Sequence, residues 1–124
     1  SIMLMLMLFA NYALAAMVTP YADTVFSSAR VSLSTQMDAS FTAQTKSKQA
    51  EIKVTSCILQ IKTGSVWADS MTLTAPSKVA TNANRYTASK NYSSSCSSGN
   101  TYRIKAVFDA DGHTKTTYSN SISY

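Results

Sequence analysis

Thr101–Ala110 reads TYRIKAVFDA, and after the pair Asp111-Gly112 the chain continues as HTKTTYSNSISY over His113–Tyr124. Tyr102, Ile104, Ala106 and Phe108 fall on one parity and Arg103, Lys105 and Val107 on the other, the period of a strand with one buried face. Asp-Gly between two such runs predicts a two-residue hairpin, because both central positions of that turn want a positive φ. The end of the chain is therefore an antiparallel β pair, and the residues before it follow the same logic.

Working back from this hairpin, Val66–Leu73 (VWADSMTL) puts Trp67, Met71 and Leu73 on one side, so Trp67 is expected to have a structural role in the core. Thr63-Gly64-Ser65 joins that segment to Glu51–Lys62 (EIKVTSCILQIK) as a second hairpin. The alternation in Glu51–Lys62 slips, since Ile52 and Val54 share a parity that Leu59 and Ile61 do not. One extra residue near Ser56, as in a β-bulge, turns Ile52, Val54, Cys57, Leu59 and Ile61 all inward. Val25–Leu33 and Met37–Ala43 read as the first two strands, with Lys46–Gln49 (KSKQ) a polar turn after them. Pro76–Asn84 reads as a long loop crossing from one sheet to another, Arg85–Ser93 as a strand, and Ser94–Asn100 as a loop. The sum is about seven strands. β-Branched and aromatic residues at alternate positions, with few glycines, favour strands over helices throughout. The fold expected for residues 23–124 is all-β, a single antiparallel sandwich of the immunoglobulin-like or fibronectin III-like kind.

Ser98-Gly99-Asn100-Thr101-Tyr102-Arg103-Ile104 resembles the approach to strand F of such domains. The resemblance implies that Tyr102 is a structural corner tyrosine whose hydroxyl bonds back to the preceding loop. Ile104 stands where antibody domains carry their second cysteine, so the resemblance brings neither that disulfide nor an antibody-like binding role. The segment from Asp23 to Tyr124 as a whole resembles small secreted sandwich proteins of Gram-positive bacteria, which implies an exported module and no particular activity.

Ahead of this domain, residues 1–22 open with the apolar run Ile2–Ala10 (IMLMLMLFA), followed by Ala13-Leu14-Ala15. An apolar core with small residues after it is the pattern of a secretory signal peptide, here a hydrophobic N-terminal helix, with cleavage after Ala15 or after Ala22. A membrane span needs about 20 apolar residues, and Asn11 interrupts the run sooner. A retained arm that packs between subunits of a pilus-like filament is the remaining reading. The expected localisation is secreted or at the cell surface, with membrane contact only through this segment if it is uncleaved.

The chain carries 11 Lys and Arg against 6 Asp and Glu, a formal charge of +5, all of it beyond residue 22. Such a balance favours anionic partners. Lys46, Lys48 and Lys53 form the nearest approach to a cluster, and Arg103 and Lys105 point outward on the last long strand. These five are the candidate surface-binding residues, for an anionic cell-wall polymer or another surface protein, with no signature of specific nucleic-acid binding. Tyr86, Tyr92, Tyr118 and Tyr124 interleave with Lys90, Arg103 and Lys115, but β-propensity alone places tyrosine in strands, with half of them in the core.

Cys57 and Cys96, in an exported chain, are expected to form one disulfide tying the third strand to the loop ahead of the sixth. No catalytic, cofactor-binding or metal-binding set is legible. His113 is the only histidine and lacks a nucleophile and an orienting carboxylate in any motif. Asp109 and Asp111 ahead of Gly112 lack the remaining ligands of a calcium loop. The function expected is a non-enzymatic structural or adhesive module at the cell surface. A filament subunit is the alternative, and an extracellular hydrolase a more remote one.

Overall fold

The structure, a computed structural model, describes residues 23–124. The expected leader and N-terminal helix at 1–22 lie outside the described residues. Seven strands form one antiparallel sheet: β1 Phe26–Leu33, β2 Asp38–Thr63, β3 Val66–Leu73, β4 Val79–Asn91, β5 Thr101–Ala110, β6 His113–Tyr118 and β7 Ile122–Ser123. A short 3₁₀ turn, Ser93–Ser95, follows β4.

β2 is the spine. Its first half pairs with β1 on one edge and β4 on the other, and its second half pairs with β5 and β3. The turn expected at Lys46–Gln49 does not exist, because this polar stretch stays extended within the 26 residues of β2. Long-range partners hold it there. The Lys46 N–H donates to the Val25 carbonyl at 2.9 Å, and the Asp111 carboxylate accepts the N–H groups of Ala50 and Glu51 at 2.7 and 2.9 Å. The β4 ladder opens only between Gln44 and Gln49, opposite Ala83–Arg85.

Two further expectations need correction. The crossing loop ends early: only residues 74–78 lie outside strands, and Val79–Asn84 already pairs with β2 despite lacking apolar alternation. Trp67 does not join Leu73 in the core. The β2–β3 register slips between Leu59 and Gln60, which leaves Ser70 unpaired and turns Trp67 to the opposite face, across from Lys62. Leu73 is buried, whereas Met71 is 46% exposed.

Elsewhere the local signals match the geometry. The register of β2 against β5 shifts between Val54 and Ser56, so Thr55 is the extra residue, and Ile52, Val54, Cys57 and Leu59 are all buried. Asp111 and Gly112 take φ of 50° and 89°, and Ala110 pairs with His113 across them. Met37 closes the β1–β2 turn at a φ of 66° with its side chain fully buried. Phe41 of β2 and Tyr86 of β4 each meet Phe108 of β5 edge to face, with centroids 6.5 and 6.1 Å apart. Buried residues from both halves of the sheet thus join in a single core.

Candidate functional site

Strand pairing builds one exposed chemical cluster on the outer face of β3-β2-β5-β6. Arg103 of β5 lies opposite Gln60 of β2, Gln60 lies opposite Asp69 of β3, and Lys105 lies opposite Tyr118 of β6. The Arg103 guanidinium carbon sits 4.4 Å from the centroid of the Trp67 ring and 4.6 Å from that of Tyr118. Each ring face carries negative potential, so the two hold the cation between them. The Arg103 Nε–H donates to Gln60 Oε1 at 2.7 Å, and Gln60 Nε2 donates to Asp69 Oδ1 at 2.8 Å. Arg103 is thereby fixed through one nitrogen. Lys62 reaches the Trp67 ring at 6.0 Å. Lys62, Arg103, Lys105, Asp69 and the two aromatic rings make up this cluster, with Tyr118 48% exposed.

The five sequence-predicted basic residues do not gather into one patch. Arg103 and Lys105 belong to the cluster just described. Lys53 is six positions from Arg103 when followed along β5 through its partner Asp109, about 20 Å at the usual strand rise, and pairs with Glu51 at 3.5 Å. Lys46 Nζ donates to the Asp23 carbonyl, and Lys48 is exposed on the stretch of β2 where the β4 ladder is broken. Lys62, Trp67 and Tyr118 escaped a strand-by-strand reading as members of one site. An outward parity was readable for Lys62 but not for Trp67, whose face is set by the bulge at Ser70, and only the registers unite the three.

The remaining chemistry-bearing groups are committed elsewhere. Tyr102 Oη accepts the Ser97 N–H at 3.0 Å and Asn100 Nδ2 at 3.2 Å, tying β5 to the loop before it. His113 lies 3.7 Å from Asp23, whose carboxylate also pairs with Lys115 at 3.3 Å and accepts the Val25 and Phe26 N–H groups. Burial opposes the Asp23 charge, but those two backbone bonds and Lys115 outweigh it and hold its pKa below the ordinary carboxylate value. Asp109 accepts the Gly112 N–H at 3.0 Å, so neither aspartate of the Asp111 turn is free of the backbone. Tyr86 and Tyr92 are buried, and Tyr118 and Tyr124 are exposed.

The disulfide expected between Cys57 and Cys96 is not formed in the structure, where both are free thiols. Cys96 Sγ donates to the Tyr92 carbonyl at 3.4 Å, and Cys57 is fully buried in the core. Burial raises the Cys57 pKa to about 11, which makes it a poor nucleophile near neutrality.

Comparison with protein families, curated proteins and solved structures finds no match to this chain.

Proposed function

We propose that this chain is a secreted, non-enzymatic β-sandwich of the immunoglobulin-like or fibronectin III-like kind that adheres to an anionic glycopolymer at the cell surface. The sandwich reading rests on the Phe41–Phe108 contact between the two halves of the sheet and on the Tyr102 hydroxyl tied to Ser97. One observation carries the adhesive reading: Lys62, Arg103 and Lys105 gather around the Trp67–Tyr118 pair, with Asp69 the carboxylate of the cluster. Aromatic faces offer a platform for sugar rings, and the flanking cations attract charged substituents.

The test is co-sedimentation with purified anionic cell walls at low and high salt. Wild-type protein is expected to pellet at about 50 mM salt and to be released at about 0.5 M, where screening is several times shorter in range. The variant Lys62→Ala/Lys105→Ala is expected to stay in the supernatant at both. Equal pelleting of variant and wild type would remove this face from the function.

A further inference from the structure

The outer face formed by β1, the first half of β2 and β4 has a different character from the Trp67–Tyr118 face. Here Arg30 of β1, Thr42 of β2 and Thr87 of β4 form one cross-strand row, and Ser28, Gln44 and Arg85 form the next. All six are exposed or half-buried at most, and all belong to the outward parity, since Phe41, Ala43 and Tyr86 take the inward one. Two clefts adjoin them, the second of which crosses these rows while the first reaches Lys90 on the inward parity of β4, opposite buried Ala39. One, of about 630 Å³, runs between the Pro76–Lys78 loop and residues Thr87–Lys90, and the other, of about 270 Å³, runs between Arg30 and Arg85. They share Thr42 and Thr87.

The electrostatics of these clefts are one-sided. Arg30 and Arg85 line the cleft on the outward rows, Lys78 and Lys90 line the other, which passes to the inward side of β4, and no carboxylate lines either among the described residues. Neither arginine forms an ion pair among the described residues. Unlike Arg103, whose Nε is bonded to Gln60, both arginines have no side-chain hydrogen-bond partner among the described residues. A guanidinium matches phosphate with two parallel N–H donors, and the threonine and serine hydroxyls between the arginines add donors of their own. Two arginines placed across three strands, with a row of hydroxyls between them, suit an extended chain of phosphates better than a single anion.

We propose that this face is a second ligand surface, specific for a linear phosphate polymer that lies across β1, β2 and β4. The occupant is a polyanion because two unopposed cations stand on adjoining cross-strand rows with no carboxylate lining the cleft between them among the described residues, and a phosphate polymer because both are arginines. The two surfaces belong to different halves of the sheet, so the module would hold polymer at two places. This inference does not depend on the Trp67–Tyr118 face being a binding site.

Long-chain inorganic polyphosphate is the probe, titrated into the protein at several salt concentrations. Wild type is expected to bind, and Arg30→Ala/Arg85→Ala to bind about tenfold or more weakly at low salt. The slope of log K against log salt is expected to shrink by roughly 1.4, about 0.7 for each of the two lost phosphate contacts on a flexible polyanion. Lys62→Ala/Lys105→Ala on the other face is the first comparison and is expected to retain binding to polyphosphate. Lys46→Ala/Lys48→Ala removes the same charge from the stretch of β2 where the β4 ladder is open and is the second. An unchanged affinity of the arginine variant overturns the proposal, and so does an equal loss in the Lys46/Lys48 variant, which would reduce the attraction to net charge. Because all substituted side chains are solvent-facing, matched melting temperatures confirm that each comparison is made on folded protein.

Discussion

Leu33 and Asn120 exchange two hydrogen bonds across 87 positions of sequence: the Leu33 N–H donates to Asn120 Oδ1 and Asn120 Nδ2 donates to the Leu33 carbonyl, both at 2.9 Å. The side-chain amide thus plays the part of a neighbouring strand's backbone. β1 and β6 are the two ends of the path β1-β2-β5-β6 and share no ladder, yet they lie in contact, so the sheet curls. Asn120 fastens one end of that seam, and Asp23, through His113 and Lys115, fastens the other.

Asn120→Ala leaves both Leu33 groups without this partner at the seam, and the expected cost is about 1–2 kcal/mol, read from urea unfolding. Asn120→Asp is expected to cost at least as much at neutral pH. It loses the donor and sets a negative charge against the Leu33 carbonyl. Wild-type stability in both variants would mean that the curl is held by the core alone.

At the other end of the seam, stability should follow Asp23. Its folded pKa is depressed relative to the unfolded chain, because the Phe26 and Val25 N–H groups and Lys115 favour the charged form more than burial disfavours it. The folded state therefore binds the proton less readily, and this contribution is present above the unfolded pKa and lost as pH falls through the folded one. Melting temperatures measured from pH 6 down to pH 2 should drop less steeply in Asp23→Asn than in wild type. The variant should be the less stable of the two at pH 6, and parallel profiles would contradict this.

Arg103→Ala removes the cation from between Trp67 and Tyr118 and frees Gln60 Oε1. Cation–π contacts at half-exposed sites are worth about 0.5–1 kcal/mol each, so a loss of about 1–2 kcal/mol is expected. Trp67 is the sole tryptophan, so its fluorescence reports the site directly. Its emission should shift to longer wavelength as water replaces the guanidinium. Arg103→Lys should not restore the wild-type spectrum, because an ammonium neither stacks as a plane nor donates as Nε does.

In the reduced protein the two thiols should differ in reactivity. Burial raises the Cys57 pKa to about 11, and Cys96, half-buried, is raised as well. Alkylation near pH 8 should modify Cys96 first and Cys57 only on unfolding. The linkage has the opposite sign to that of Asp23: the raised folded pKa gives stability that is full below the unfolded thiol pKa and declines as pH rises toward 11. Cys57→Ala should flatten that alkaline decline, and equal alkylation rates at both sites would contradict the burial.

How far these features could be read in advance depended on whether their cause was local. The Asp111-Gly112 turn carries its own φ requirement, and the Thr55 bulge betrays itself as a slip of parity within one strand, so both were legible. Lys46–Gln49 looked like a turn because the Val25 and Asp111 partners that straighten this part of β2 are distant in sequence. Val79–Asn84 looked like a loop because its alternation is absent, and its pairing to Glu51–Lys53 comes from an already built β2. Trp67 fell on the wrong face because Ser70, in an edge strand with little burial, gave no apolar signal of its bulge. Arg103 and Lys105 could be placed outward from their own strand. Their union with Lys62, Trp67 and Tyr118 needed three registers, and so did the line from Arg30 to Arg85.

The Tyr102 hydroxyl offers the sharpest local test of the turn between β4 and β5. It accepts the Ser97 N–H and Asn100 Nδ2, and it lies 3.4 Å from the Ser97 carbonyl. Tyr102→Phe keeps the buried ring and deletes only these bonds. Because Ser97 is exposed and water can replace the lost partner, the expected cost is about 1 kcal/mol, at the middle of the range for neutral hydrogen bonds. Hydrogen exchange separates a local role from a global one. Exchange at the Ser97 amide should accelerate well beyond the change at core amides such as Ile104, whose N–H is held by Ser119 Oγ at 2.8 Å. A uniform acceleration at both amides would make Tyr102 one more core residue, and no acceleration at Ser97 would show that the loop holds itself.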